Sequence, residues 1–120
     1  MTIEVGQAHE ASFVVTEAMK PGHLPVVVLS TPDMIRQVEG ACAALAQQHL
    51  GEGETTVGTH VCMSHTGAAY EHETVAISVS VQSVTGRRIT FATEVRSPRA
   101  VISTGTHERT VVRTDRYRTA

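Results

Sequence analysis

Thr31-Pro32-Asp33-Met34-Ile35-Arg36-Gln37-Val38-Glu39-Gly40-Ala41-Cys42-Ala43-Ala44-Leu45-Ala46-Gln47-Gln48 is the one stretch of this chain that reads plainly as a long helix, and it decides the fold. Thr31 offers a hydroxyl cap, Pro32 a preset first helical residue and Asp33 an acid in the first turn. Ile35, Val38, Cys42, Leu45 and His49 then recur at the spacing of one helix face, and Gly51 and Gly53 stop the run. About 18 residues at about 1.5 Å each span roughly 27 Å, enough to cross the face of a small sheet.

Outward from the helix, the sequence alternates with the two-residue period of strands. Ala11 to Glu17 is expected to be the first strand, with Phe13 and Val15 on one face. Met19 to Gly22 is loop, and Val26 to Leu29 is either a short apolar strand or the approach to the helix. Thr55 to Ala69 is a long strand region, bent or bulged around Gly58. Val75, Ile77, Val79 and Val81 alternate with Ala76, Ser78, Ser80 and Gln82. Ser83 to Arg87 makes a Gly-containing hairpin turn, and Ile89, Phe91, Thr93 and Val95 follow it. Ser97-Pro98 turns the chain into a last strand, Val101 to Val112. The expected architecture is α+β: one long helix wrapped by an antiparallel sheet of five to six strands, in a single domain covering 1–120.

Hydrophobic residues make up 41% and charged residues 18%, a globular composition. Aromatics are 3%, with no Trp, so the core is aliphatic, of a kind often completed by a partner subunit. The clean strand Thr74 to Val81 agrees with a sheet continued across a dimer. A net charge of −2 argues against a nucleic-acid partner. Basic residues gather late, at Arg109, Arg113, Arg116 and Arg118, either as a solvated end or as an attractor for a phosphorylated ligand. Cys42 and Cys62 form no disulfide framework and are expected to be reduced core residues of a cytoplasmic protein. The longest apolar run, Pro25 to Leu29, is too short to span a membrane.

Three side chains stand out as chemistry. Glu39 borders the apolar stripe, where a carboxylate is costly unless paired or hydrogen-bonded. It either snorkels to solvent, pairs with an arginine, or works as a reactive group. Thr31 is either a plain cap or a hydroxyl at the positive end of the helix dipole, where an oxyanion is favoured. His65 shares strand parity with Val61 and Met63, so it is either a satisfied core residue or a base whose ordinary pKa suits neutral pH. The histidine spacings hold no metal pattern, and no metal is expected. GxSxG, P-loop and GxGxxG motifs do not occur.

Thr31, the eight-residue step to Glu39, and the run Gly58-Thr59-His60-Val61-Cys62-Met63-Ser64-His65-Thr66 together resemble the fluoroacetyl-CoA thioesterase group of the hotdog superfamily. The closing segment Gly105-Thr106-His107-Glu108-Arg109 and the hairpin Ser83 to Arg88 are similar to the same group. The resemblance runs from Thr31 to Val112. It implies a hotdog fold, a homodimer or tetramer with active sites at a subunit interface, and hydrolysis of an acyl-CoA thioester with no cofactor beyond the coenzyme A of the substrate. Carried over residue by residue, it implies Thr31, Glu39 and His65 as catalytic groups. It further implies Gly58 meeting the acyl-CoA through its backbone and Arg109 contacting coenzyme A. The group's fluoroacetate-selective member has a longer segment before its threonine, with phenylalanines forming a lid. Here Lys20 to Ser30 is short and holds no aromatic, and Pro32 stands where a glycine is expected, so fluoroacetyl-CoA is not the assumed substrate.

The expected reaction is hydrolysis of a short or medium acyl-CoA. His65 serves as base and then acid, Thr31 as nucleophile or water holder, and Glu39 as orienter or nucleophile. Acyl-CoA binding without turnover, and enoyl-CoA hydration or dehydration, are the alternatives that the residues leave open.

Overall fold

A computed structural model of the protein describes residues 1–117, so Arg118 lies outside the described residues. Strand β1 (Ala8–Val14) is followed by helix α1 (Thr31–Gln47). Strands β2 (Glu54–Met63), β3 (Thr74–Thr85), β4 (Arg88–Arg96) and β5 (Val101–Arg113) complete the regular structure. They form one antiparallel sheet in the order β1-β3-β4-β5-β2. The α+β class is as expected, with five strands.

Alternation builds the core. Val75, Ile77, Val79 and Val81 of β3, with Ile89, Phe91 and Val95 of β4, point to the same side and are buried. Helix α1 covers them with Met34, Val38, Ala41, Cys42, Leu45 and Ala46. Ile35 and His49, expected in the buried stripe, are only half-buried at its margin. Phe91 is the only fully buried Phe, Tyr or Trp among the described residues, and its ring lies against His107 at 6.5 Å between centroids.

Four expectations need correction. The helix cap is Ser30, not Thr31: its Oγ accepts from the Asp33 amide at 3.3 Å and donates to the Asp33 carboxylate at 2.6 Å. Strand β1 begins and ends three residues early, because pairing from Ala8↔Ser80 to Val14↔Thr74 sets its ends, whereas hydrophobicity alone favoured Val15. Cys62 is exposed, since it sits on edge strand β2. Strand β3 cannot continue the sheet into a second molecule, because β1 and β4 flank it on both sides; the free edges belong to β1 and β2.

The bend expected near Gly58 is a bulge: Gly58 pairs Arg109 and His60 pairs Glu108, leaving Thr59 as the extra residue. The fold thus sets α1 beside the edge strand β2, and the candidate chemistry lies along that seam.

Candidate active site

Residues Met19 to Ser30 form a loop closed at its base, where the Ser30 amide donates to the Met19 carbonyl at 2.9 Å. The last residues before the helix lie against the segment after β2. The Leu29 amide donates to the Ala69 carbonyl at 2.8 Å and the Glu71 amide to the Val27 carbonyl at 3.2 Å. These contacts deliver Thr31 to His65. The Thr31 hydroxyl lies 2.7 Å from His65 Nδ1, a hydrogen bond between residues 34 apart in sequence. Because Ser30 carries the cap, the Thr31 hydroxyl is free to make it. His65 stands two residues beyond the end of β2, not within it, yet ladder bonds to β5 still hold the segment. The Ser64 amide donates to the Thr104 carbonyl at 3.0 Å and the Thr66 amide to the Ile102 carbonyl at 2.8 Å. Gly105 permits that close approach, since a Cβ there would sit 2.1 Å from the Cys62 carbonyl oxygen.

Glu39 lies two turns further along α1, about 12 Å from Thr31 at about 1.5 Å per residue, and its partners are different. Glu39 Oε2 is 3.6 Å from Arg109 Nη1, an ion pair with the guanidinium 10% and the carboxylate 40% exposed. Arg109 Nε donates to the Thr56 hydroxyl at 2.7 Å and Nη2 to the Thr56 carbonyl at 3.1 Å. Its Nη1 is 3.2 Å from His107 Nε2, and His107 Nδ1 is 2.7 Å from the His60 carbonyl. This pattern makes His107 a neutral imidazole with its proton on Nδ1, donating to His60 and accepting from Arg109. Burial favours that form: it holds the His107 pKa below its ordinary value, with the hydrogen bond to the His60 carbonyl opposing and the Arg109 charge assisting. Gly58 leaves the space in which this cluster meets, since a Cβ there would be 2.8 Å from Glu39 Oε2 and 3.3 Å from both Arg109 Nη1 and His107 Cε1.

A cavity of about 490 Å³ opens at the Thr31–His65 pair. The loop contributes Pro21, His23, Leu24 and Val28 to its walls, and Gly67 and Ala68 face them. The structure therefore brings Thr31 and His65 together in one place and Glu39, Gly58 and Arg109 in another, along one seam. Arg109 turns inward toward Glu39. Sequence reasoning passed over Thr56 and gave His107 no role beyond its place in a motif. The signal was present in β5, where His107, Arg109 and Val111 alternate inward, and a buried guanidinium requires acceptors of its own.

Sequence comparison matches residues 8–115 to the family described as fluoroacetyl-CoA-specific thioesterase, FlK. A curated relative, the fluoroacetyl-CoA thioesterase of Streptantibioticus cattleyicolor, is 32% identical over 90 residues. That alignment covers 75% of this chain and 65% of the relative, so the chain spans just under two thirds of that protein's length. A variant of the thioesterase FlK solved with fluoroacetate and CoA superposes with a TM-score of 0.91 at 28% identity, covering 97% of this chain and all of the other. A thioesterase superfamily member of Thermus thermophilus superposes at 0.88 with 22% identity, covering 97% and 89% of the two chains, and supports the hotdog fold alone.

Proposed function

This chain belongs to the fluoroacetyl-CoA-specific thioesterase family, and from that membership and the geometry of the seam we propose that it hydrolyses a short or medium acyl-CoA thioester using Thr31, Glu39 and His65. The observation that carries the reading is the 2.7 Å contact between the Thr31 hydroxyl and His65 Nδ1 at the mouth of an open, mainly apolar cavity. With its proton on Nε2, the His65 imidazole accepts at Nδ1, either from Thr31 or from a water that Thr31 holds. The oxygen thus activated attacks the thioester carbonyl. The C–S bond then breaks and the proton held by His65 passes to the departing thiolate, which leaves as free thiol. With water as the attacking oxygen the carboxylic acid forms directly; with Thr31 an acyl-Thr31 ester forms, and a water that gives its proton to His65 hydrolyses it and restores the hydroxyl.

The Thr31 amide is the candidate donor to the oxyanion at this helix end. Pro32 has no N–H, the Asp33 amide is taken by the Ser30 side chain, and the Met34 amide by the Ser30 carbonyl. Glu39 enters from a second copy of the chain. Strand β2 is a free edge, and antiparallel pairing of two such edges about a two-fold axis sets the Gly58 end of one against the His65 end of the other. Glu39 and Gly58 of one copy then complete the site begun by Thr31 and His65 of the other. A coenzyme A ester is the substrate, no further cofactor is called on, and the setting is cytoplasmic, where both thiols stay reduced. Fluoroacetyl-CoA itself is not carried over, because no Phe, Tyr or Trp stands in the Lys20–Ser30 loop to close the cavity over so small a group.

The test is thiol release from a panel of acyl-CoA esters. The wild type is expected to turn over, and Thr31→Ala and His65→Ala each to lose about 10²- to 10⁴-fold in kcat while remaining folded. Unchanged rates in both variants would remove the assignment.

A further inference from the structure

The turn between β3 and β4, the end of β5 and the residues after it enclose a second cavity, of about 120 Å³, remote from the Thr31–His65 pair. Its walls are Arg87, Arg113 and Arg116 with Val111 and Val112. Three guanidiniums converging on one small hollow are unusual in a chain whose net charge is −2. Two carboxylates face them: Glu54 Oε2 is 3.7 Å from Arg87 Nη1, and Asp115 Oδ1 is 3.4 Å from Arg113 Nε. Both pairs are exposed on the arginine side, so they hold the side chains loosely and leave most of the N–H donors open. Arg116 has no ion pair among the described residues. The hollow keeps one positive charge in excess, presented as planar donor forks that match phosphate oxygens.

We propose that this hollow binds the adenosine 3′-phosphate end of the coenzyme A thioester, a reading that rests on the thioesterase function above. Its position along β5 supports the assignment. Arg113 lies four residues beyond Arg109, about 13 Å away at about 3.3 Å per residue, and Arg109 touches Glu39. A pantetheine arm bridges that gap, running from a thioester at Glu39 toward the arginines. Arg113 lies over Gly53, its Nη2 3.1 Å from where a Cβ would stand. Tyr117, which follows Arg116, is 58% exposed and offers an aromatic face on which an adenine can stack. The Arg109 side chain, by contrast, points into the molecule, which leaves phosphate recognition to these outer arginines.

The experiment compares one acyl group on coenzyme A and on pantetheine, in the wild type and in the double variant Arg87→Gln, Arg116→Gln. Both side chains are exposed, so the variant keeps the fold. The KM for acyl-CoA should rise about tenfold with kcat within about twofold, as expected for loss of charge-assisted hydrogen bonds, while the acyl-pantetheine constants stay put. An unchanged acyl-CoA KM in the variant overturns the proposal. So does a wild type that shows the same KM for both thioesters, and in that case the hydrolase reading still stands. If the wild type cleaves neither thioester, calorimetry with adenosine 3′,5′-bisphosphate separates the two ideas. Binding that the double variant loses supports the pocket while the hydrolase reading falls. No binding, or equal affinity for inorganic phosphate, overturns the pocket.

Discussion

Thr31 and His107 show how one residue's position governs what its polar atoms can do. Thr31 stands one place inside the cap, and that single-residue offset leaves its hydroxyl for His65. From sequence, a threonine before Pro32 is indistinguishable from a cap. Only the Ser30–Asp33 exchange separates the two roles. His107 was visible in its motif but not in its role, because what defines it is full burial between the His60 carbonyl and Arg109. Its folded pKa lies below the ordinary 6.5 because burial disfavours the charged ring. The unfolded chain therefore binds a proton that the folded chain resists, and stability present above about pH 6.5 is lost as pH falls toward the folded value. The unfolding midpoint should drop between pH 7.5 and pH 5.5, and His107→Gln should flatten that slope while its amide oxygen still accepts from Arg109. An equal slope in both proteins would free His107 of this duty. His107→Leu should cost about 3 kcal/mol, since it strands a buried arginine donor and a carbonyl.

At the scale of elements, the helix was legible because the proline start, the stripe and the glycine stop all lie within consecutive residues, and only its cap was displaced by one residue. The β3–β4 hairpin and the bulge near Gly58 were legible for the same reason. Strand β1 was displaced because its ends are fixed by β3, a partner sixty or more residues away. The loop before the helix was read only for what it lacks. In the structure it is a pinned wall: Met19 and Ser30 close its base, Val28 bridges Tyr70, and Arg99 secures the facing segment by bonding the Ala68 carbonyl and the Glu73 carboxylate. Leu24 stands on that wall, 40% exposed, in the cavity beside Thr31. Leu24→Phe adds bulk there and should lower kcat/KM for a medium acyl chain about tenfold relative to acetyl-CoA, the usual worth of a methylene-scale change in an apolar pocket. A chain-length profile identical to the wild type would move the acyl pocket elsewhere.

The whole molecule raises the question that no single element answers, which is why Thr31 and Glu39 stand about two turns apart on one helix face with no contact between them. The pairing proposed above, through the β2 edge, answers it by drawing each site from two copies. A mixing experiment measures this directly. Thr31→Ala and Glu39→Gln, each inactive alone, should regain about a quarter of wild-type activity when unfolded and refolded together, because half the dimers are mixed and each mixed dimer keeps one intact site. Sites contained within single chains would regain none. The sequence by itself determined the helix, the alternating strands and the bulge, because periodicity and turn chemistry are written in neighbouring residues, and it singled out Thr31, Glu39 and His65 as candidates. Tertiary structure alone decided which of those groups touch. The Thr31–His65 pair, the Thr56–Arg109–His107 clamp on Glu39 and the arginine hollow each join residues far apart in sequence. Their meeting depends on strand register and on the angle at which α1 crosses the sheet, both set by packing the whole core at once.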